Sequence, residues 1–139
     1  MLITQVKNEL NNHYLYLNFA IWYDIASYFG QAAYFYHRAT EERDHAQWIM
    51  DYLTQADYLF AIPATDAEHI DIYQGKDPFS FATEDHVMDP HTITLDREIQ
   101  TTRAINAIQR KANELNDYIT GHWLRQLLIE QAEEESLSH

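Results

Sequence analysis

The chain predicts an all-α protein: a four-helix bundle of two antiparallel helix pairs joined by a long crossover. Three observations carry that expectation. Apolar residues recur at three- and four-residue steps through four long stretches. Two of the breaks between them are a few residues long, whereas the third spans 59–89. Residues of metal-ligand type repeat at one spacing in both halves: Glu9 lies 33 residues before Glu42 and 36 before His45, and Glu98 lies 33 before Gln131 and 36 before Glu134.

The first helix is expected over about 4–28, with Val6, Leu10, Leu17 and Ile21 as its apolar stripe, Glu9 and Tyr16 on the shoulder, and Gly30 as breaker. The second, about 31–58, carries Phe35, Ala39, Ala46, Ile49 and Leu53, and Glu42 continues that stripe between the two alanines. So short a break makes the pair antiparallel neighbours. Over 59–89 the periodicity fails and Pro63, Gly75 and Pro78 appear, marking the crossover. Within it Asp66, Glu68, His69 and Asp71 resemble a surface cation site, although loops are rich in such residues. The third helix, 90–115, has Asp89 as N-cap and Pro90 at its first position, and Leu95, Thr102, Ile105 and Ala112 bracket Glu98. Asn116 and Asp117 make the next break, and in the fourth helix, 117–135, Leu124 and Leu127 lead by the same steps to Gln131 and Glu134. Two hairpins with one long connection form a bundle of the single-crossover kind, and 1–139 reads as one domain.

Composition narrows the function. A chain of 139 residues, 46% of them hydrophobic, suits one core that buries about two thirds of the unfolded surface. With 9 basic against 22 acidic residues, the net charge of -13 argues against a nucleic-acid partner and for attraction of cations. No apolar run of spanning length and no basic-then-apolar leader occurs, so the expectation is a soluble, unprocessed chain without a membrane partner. Zero cysteines exclude disulfides, thiolate metal sites and cysteine nucleophiles, and fit a reducing, cytoplasmic compartment.

The acids that interrupt the apolar seams need a cation, because buried carboxylates without protons or counter-charges are costly. Glu42 and His45 are i,i+3 partners on one helical face, and Tyr16 sits two turns beyond Glu9. One imidazole among several carboxylates is harder than zinc prefers and suits iron or manganese. Glu9, Glu42 and Glu98 supply -3, against the +4 that two divalent cations would bring. If such ions were oxidised, the added charge would be expected to tighten their binding, call in hydroxide or oxide, and finally expel them.

Taken together, Glu9 with Tyr16, the run Glu41-Glu42-Arg43-Asp44-His45, Glu98, and the run Glu130-Gln131-Ala132-Glu133-Glu134-Glu135 resemble the ferroxidase ferritins, the non-haem iron-storage proteins, in their bacterial form. The resemblance covers nearly the whole chain. Single pieces are weak, because Glu-Glu-x-x-His occurs by chance in many helices; the conjunction is specific. It implies a ferritin-like bundle in which Glu9, Glu42 and His45 bind the first iron, with Glu42 bridging to a second held by Glu98. Gln131 resembles the family's amide near the second iron, and Tyr16 its hydrogen-bonded tyrosine. Glu41, Glu130, Glu133 and Glu134 match the ligands of a third iron site. The implied activity is ferroxidase: two Fe(II) reduce dioxygen or peroxide, and Fe(III) passes to the cavity of a cytoplasmic homo-oligomer, in the family a 24-subunit shell. Gln131, being neutral, leaves the second site weaker than a carboxylate or histidine would, as suits iron that must move on. The second Glu-x-x-His of bacterioferritins is replaced by Gln131-x-x-Glu134, and Arg43 stands where they carry a haem-binding methionine, so no haem is expected.

The chain departs from the family pattern in a lengthened crossover and in ending at His139, before the short fifth helix that lines fourfold channels. Plainer readings exist for each residue. Glu9 and Glu98 are boundary glutamates reaching solvent, His45 a satisfied core histidine, Tyr16 a packing residue, and Glu133 to Glu135 a solvated end with Glu134 turned inward. Trp22, Trp48 and Trp123 read as packing residues. Other functions were weighed against storage. A rubrerythrin-like di-iron oxidase or peroxidase lacks its cysteine site here; a non-catalytic cage predicts decayed ligands; a miniature DNA-shielding ferritin places its ligands between subunits.

Overall fold

A computed structural model describes residues 2–66 and 89–138, and in it four helices lie side by side: α1 (Leu2–Ile25), α2 (Phe29–Gln55), α3 (Pro90–Glu114) and α4 (Tyr118–Ser138). α1 packs closely on α2 and α3 on α4, while α1 and α3 cross more lightly. Antiparallel register between α1 and α3 is fixed by two hydrogen bonds, Asn12 Nδ2 to Thr101 Oγ1 at 3.0 Å and Tyr16 Oη to Glu98 Oε1 at 2.7 Å. α2 and α3 therefore run the same way. The chain leaving α2 must return the length of the bundle, roughly 1.5 Å for each helical residue, before α3 can begin. Residues 56–66 start that return without helix or strand, and the rest of the expected crossover, with Glu68, His69 and Asp71, lies outside the described residues. Asp66 is tied to α1, 3.3 Å from Lys7 Nζ and bonded through its amide to Asn11 Oδ1 at 2.9 Å.

Three helix ends use one device. Ser27, Asp57 and Asn116 adopt left-handed backbone with φ of 67°, 57° and 56°. The following residue then donates its amide five residues back, Tyr28 to Tyr23, Tyr58 to Leu53 and Asp117 to Ala112, which caps the last carbonyls. This corrects the expected breaker. Ser27 ends α1, and Gly30 lies inside the first turn of α2, where a Cβ would meet nothing within 4 Å. The helices accordingly begin and end a few residues before the expected 28, 31 and 58. Asn and Asp tolerate the left-handed region through local hydrogen bonds, so Asp57 and Asn116 were better stop signals than the glycine.

The apolar core is in two parts. One end holds Leu15, Tyr16, Phe19, Tyr23, Ala32, Phe35 and Ala39, with Tyr23 stacked on Phe35 at 5.5 Å between ring centres. The other holds Val6, Ala46, Ile49, Leu53, Ile105, Ile108, Leu124 and Leu127. Trp48 and Trp123 meet edge to face at 5.7 Å beside it, and such pairs add about 0.5–1.5 kcal/mol beyond their buried area. Gly121 lets α4 approach α3, since a Cβ there would lie 3.1 Å from Gln109 Nε2. Between the two clusters every inward position is polar. The α1 stripe is rotated from the expected one: Glu9 and Tyr16 are fully buried at its centre, Leu10 and Leu17 are half-buried, and Ile21 is 43% exposed. Hydrophobicity alone misplaced it, because the centre of this face is built from Gln5, Glu9, Asn12 and Tyr16.

Asp117 caps α4, accepting from the Thr120 amide at 3.1 Å and from its hydroxyl at 2.6 Å. The Thr120 hydroxyl and then its amide hold the Asp117 carboxyl below its ordinary 3.8. A depressed carboxylate stabilises the fold above its unfolded pKa and loses that stabilisation as pH falls through the folded value. Asp117→Ala is therefore expected to cost about 1 kcal/mol in denaturant unfolding at neutral pH. The difference from the parent should shrink below pH 3.8; a difference that stays constant into acid would show that the cap is not charged.

Candidate metal centre

The polar layer takes one or more side chains from each helix. Glu9 comes from α1, Arg38, Glu42 and His45 from α2, Glu98 from α3, and Gln131 and Glu134 from α4. Helical period explains the grouping: Arg38, Glu42 and His45 fall on the same face as Phe35 and Ile49, and Gln131 and Glu134 continue the line of Leu124 and Leu127. Glu9, Glu42, Glu98 and Gln131 have no exposed surface, and Arg38, His45 and Glu134 have 1%, 3% and 5%. Water cannot screen these charges.

The layer has an engaged side and an open side. Both oxygens of Glu98 are occupied: Oε1 accepts from Tyr16 Oη at 2.7 Å and lies 3.1 Å from Arg38 Nη2, and Oε2 accepts from Gln131 Nε2 at 2.5 Å. Arg38 Nη1 also donates to the Glu134 carbonyl at 3.1 Å. On the open side Glu9 Oε2, both oxygens of Glu42, His45 Nδ1 and Gln131 Oε1 are buried and meet no hydrogen-bond partner outside this cluster. Gln5 Nε2 holds the other Glu9 oxygen at 3.1 Å. His45 Nδ1 lies 3.7 Å from Glu9 Oε2, and its Nε2 lies 3.0 Å from Glu134 Oε1 and 3.4 Å from Glu130 Oε2.

Ligand atoms of Glu9, Glu42 and His45 lie within 4.8 Å of one another, and so do those of Glu42, Glu98 and Glu134. Glu42 belongs to both triads. The electrostatics are those of acids lacking a cation. Burial, followed by the charges and hydrogen bonds of Glu9, Glu98 and Glu134, pushes Glu42 well above the ordinary carboxylate range. Burial also opposes charge on Glu9, but the hydrogen bond from Glu42 and the pull of His45 outweigh it and hold Glu9 low. Of the two, Glu42 is the one its surroundings push toward the neutral form. Burial disfavours the His45 cation, yet Glu134 and Glu9 outweigh it and raise His45 to about 11. Burial and the Glu98 and Glu42 charges raise Tyr16 well above 10, keeping its phenol protonated as the donor to Glu98. A divalent cation would replace the proton on Glu42 and the one on His45, and the donor set of carboxylates, one imidazole and one amide oxygen fits a hard first-row ion.

Outside this layer, Glu41, Asp44, Glu130 and Glu133 join His45 and Glu134 along an open cleft of about 290 Å³. Burial and then Glu134 raise Glu41 to about 7, and Glu41 Oε1 lies 2.5 Å from His37 Nε2. The four expected third-site residues thus share one cleft, with Glu134 common to cleft and core. Glu133 is exposed, Glu135 half-buried and Glu134 turned inward. Arg43 faces solvent beside Asp44 at 3.8 Å.

Sequence reasoning missed Arg38, Gln5 and the Asn12–Thr101 pair. Arg38 had a detectable signal: it precedes Glu42 by one turn and His45 by two, on the seam rather than on the face that carries Arg43 and Asp44. Gln5 likewise precedes Glu9 by one turn.

The family model whose description is the ferritin-like domain matches residues 1–138. The bacterial non-heme ferritin of Campylobacter jejuni is 28% identical over 137 residues, covering 99% of this chain and 75% of that protein. Among solved structures, Chlorobium tepidum ferritin superposes with a TM-score of 0.81 at 26% identity, over 99% of this chain and 76% of that one. A PmFTN variant soaked in iron shares the fold, with a TM-score of 0.84 at 23% identity over 99% and 80% of the two chains. All four described helices and the layer of acids between them fall within the matched residues, so this chain belongs to the ferritin-like family, with bacterial non-haem members among its relatives.

Proposed function

We propose that the chain is a storage ferroxidase that takes two Fe(II) as substrate into the layer between its helices, oxidises them and releases Fe(III). The observation that carries this is the pair of buried triads that share Glu42, Glu9–Glu42–His45 and Glu42–Glu98–Glu134, in which Glu9 Oε2 and both Glu42 oxygens have no donor outside the cluster. A dry interior tolerates such atoms when a cation completes them. Glu9, Glu42 and His45 make the first subsite, and Glu42, Glu98 and Glu134, with Gln131 Oε1, the second. Tyr16 and Gln131 orient Glu98, and Gln5 orients Glu9, as outer partners of ligating carboxylates do.

The redox balance is simple. Two Fe(II) lose one electron each; dioxygen with two protons leaves as hydrogen peroxide, or peroxide with two protons as two waters. The protons displaced from Glu42 and His45 on loading are two that the reaction can take back. Glu41, Glu130 and Glu133 line the cleft that opens on His45 and Glu134, which suits a third iron position on the path in or out. A bundle of 1–139 acting as one di-iron domain, in a cytoplasmic homo-oligomeric cage of 24 subunits, is the assembly we propose. The names of its bacterial ferritin relatives support that reading, and no described helix is long and apolar enough to cross a membrane.

Anaerobic Fe(II) titration followed by oxygen, with light scattering on the same sample, tests the proposal. About two irons per chain should oxidise in a fast phase inside a large hollow particle; slow oxidation at the rate of iron in buffer would contradict it. Glu42→Ala should assemble normally yet lose at least about 10–100-fold of the fast rate, the loss that even an outer-sphere change brings. Oxidation at the parent rate would remove the assigned centre. Glu130→Ala should leave the first two-iron step intact and slow later turnover; unchanged turnover would remove the cleft from the path.

A further inference from the structure

The two subsites differ in one respect that the ligand pattern does not reveal. At the first, the atoms that would meet an ion, Glu9 Oε2, both oxygens of Glu42 and His45 Nδ1, meet no hydrogen-bond partner outside their own cluster, and the basic group beside them, His45, is itself a ligand candidate. At the second, Glu98 already holds a cation, the guanidinium of Arg38, 3.1 Å from Oε1 and 1% exposed. Resting on the ferroxidase reading above, we propose that Arg38 is a resident counter-cation that competes with iron for Glu98, so that the first subsite fills before the second and binds the ion more tightly.

The argument is electrostatic and geometric. Arginine stays protonated inside proteins, so unlike Glu42 or His45 it cannot release a proton to make room for a metal. Nη1 anchors the group to the Glu134 carbonyl at 3.1 Å and Nη2 reaches Glu98, so one planar fork spans α3 and α4 from α2. An ion arriving among Glu42, Glu98 and Glu134 meets a fixed positive charge with no water between, where repulsion is several times stronger than at a surface. It must also share or displace the guanidinium at Glu98, whose remaining oxygen is held by Gln131 Nε2 at 2.5 Å. The first ion meets only Glu9, Glu42 and His45, groups that can give up a proton and become its ligands. Once Fe(III) leaves, Arg38 is in place to take Glu98 back, which favours release. It is a positioning residue acting through Glu98 and touches no reacting atom.

Calorimetric titration of the metal-free protein under argon, with Fe(II) and in parallel with redox-inert Zn(II), reads this without turnover. The parent protein should bind in two steps, the second weaker by at least about tenfold, and Arg38→Gln should strengthen the second step by about 10–100-fold while leaving the first within about threefold. Arg38→Lys, which keeps the charge, should keep the split. A purely structural arginine would lower the unfolding midpoint of the metal-free protein when replaced and leave the ratio of the two steps unchanged. Two equal steps in the parent would overturn the proposal without any variant, as would a second step unchanged or weakened in Arg38→Gln. If the parent takes up neither ion, the ferroxidase reading fails and this inference fails with it; equal steps defeat this inference alone.

Discussion

The structure depends on how a dry layer compensates for too many acids. Glu9, Glu42, Glu98 and Glu134 converge between four helices where water does not reach. Among the protein's own groups, a Glu42 pushed toward its neutral form, the basic side chains of His45 and Arg38, and donors from Tyr16, Gln131 and Gln5 balance them. That compensation is partial, since several acceptor atoms remain without donors. Buried ion pairs of this kind seldom contribute net stability, because desolvation consumes most of the attraction. Apolar side chains of similar size would hold the helices at least as well. The layer is better understood as a site carried by the bundle than as part of what holds it together.

Stability then rests on the two apolar clusters that flank the layer. Aromatic rings of α1 and α2 close one end, and aliphatic residues from all four helices, with the Trp48 and Trp123 pair, close the other. With rigid ends, the backbone positions of Glu9, Glu42, Glu98 and Gln131 are set by helix register, not by loops. The hydrogen bonds Asn12–Thr101 and Tyr16–Glu98 lock that register between α1 and α3, beside the site itself. Protons and Arg38 thus hold the acids apart enough to fold, yet leave the open side able to exchange them for metal.

Much of this was legible in the sequence, and for a physical reason. A helix presents a ligand where the apolar seam would otherwise continue, so the interval shared by Glu9, Glu42 and His45 with Glu98, Gln131 and Glu134 survives as a spacing in the chain. Asp89 and Pro90 marked the start of α3 because capping chemistry is local, and the Asp89 carboxylate does accept from His91. What escaped was whatever depended on a partner distant in sequence. The seam position of Arg38 was readable, but its partners, Glu98 and Glu134, were not. The phase of α1 was misread because the centre of its buried face carries Gln5, Glu9 and Asn12, while Leu10, Leu17 and Ile21 lie toward the outside. Ser27 as the end of α1 was hidden because a serine at φ 67° carries no sequence signature, while Gly30 three residues later does.

Crystals soaked with Fe(II) under argon and measured at the iron absorption edge test the central claim most directly. Two anomalous peaks about 3.5–4 Å apart should appear among the four helices, one against Glu9, Glu42 and His45 and the other against Glu42 and Glu98. An interior without anomalous density, or Glu9 and Glu42 swung out into solvent, would contradict the account.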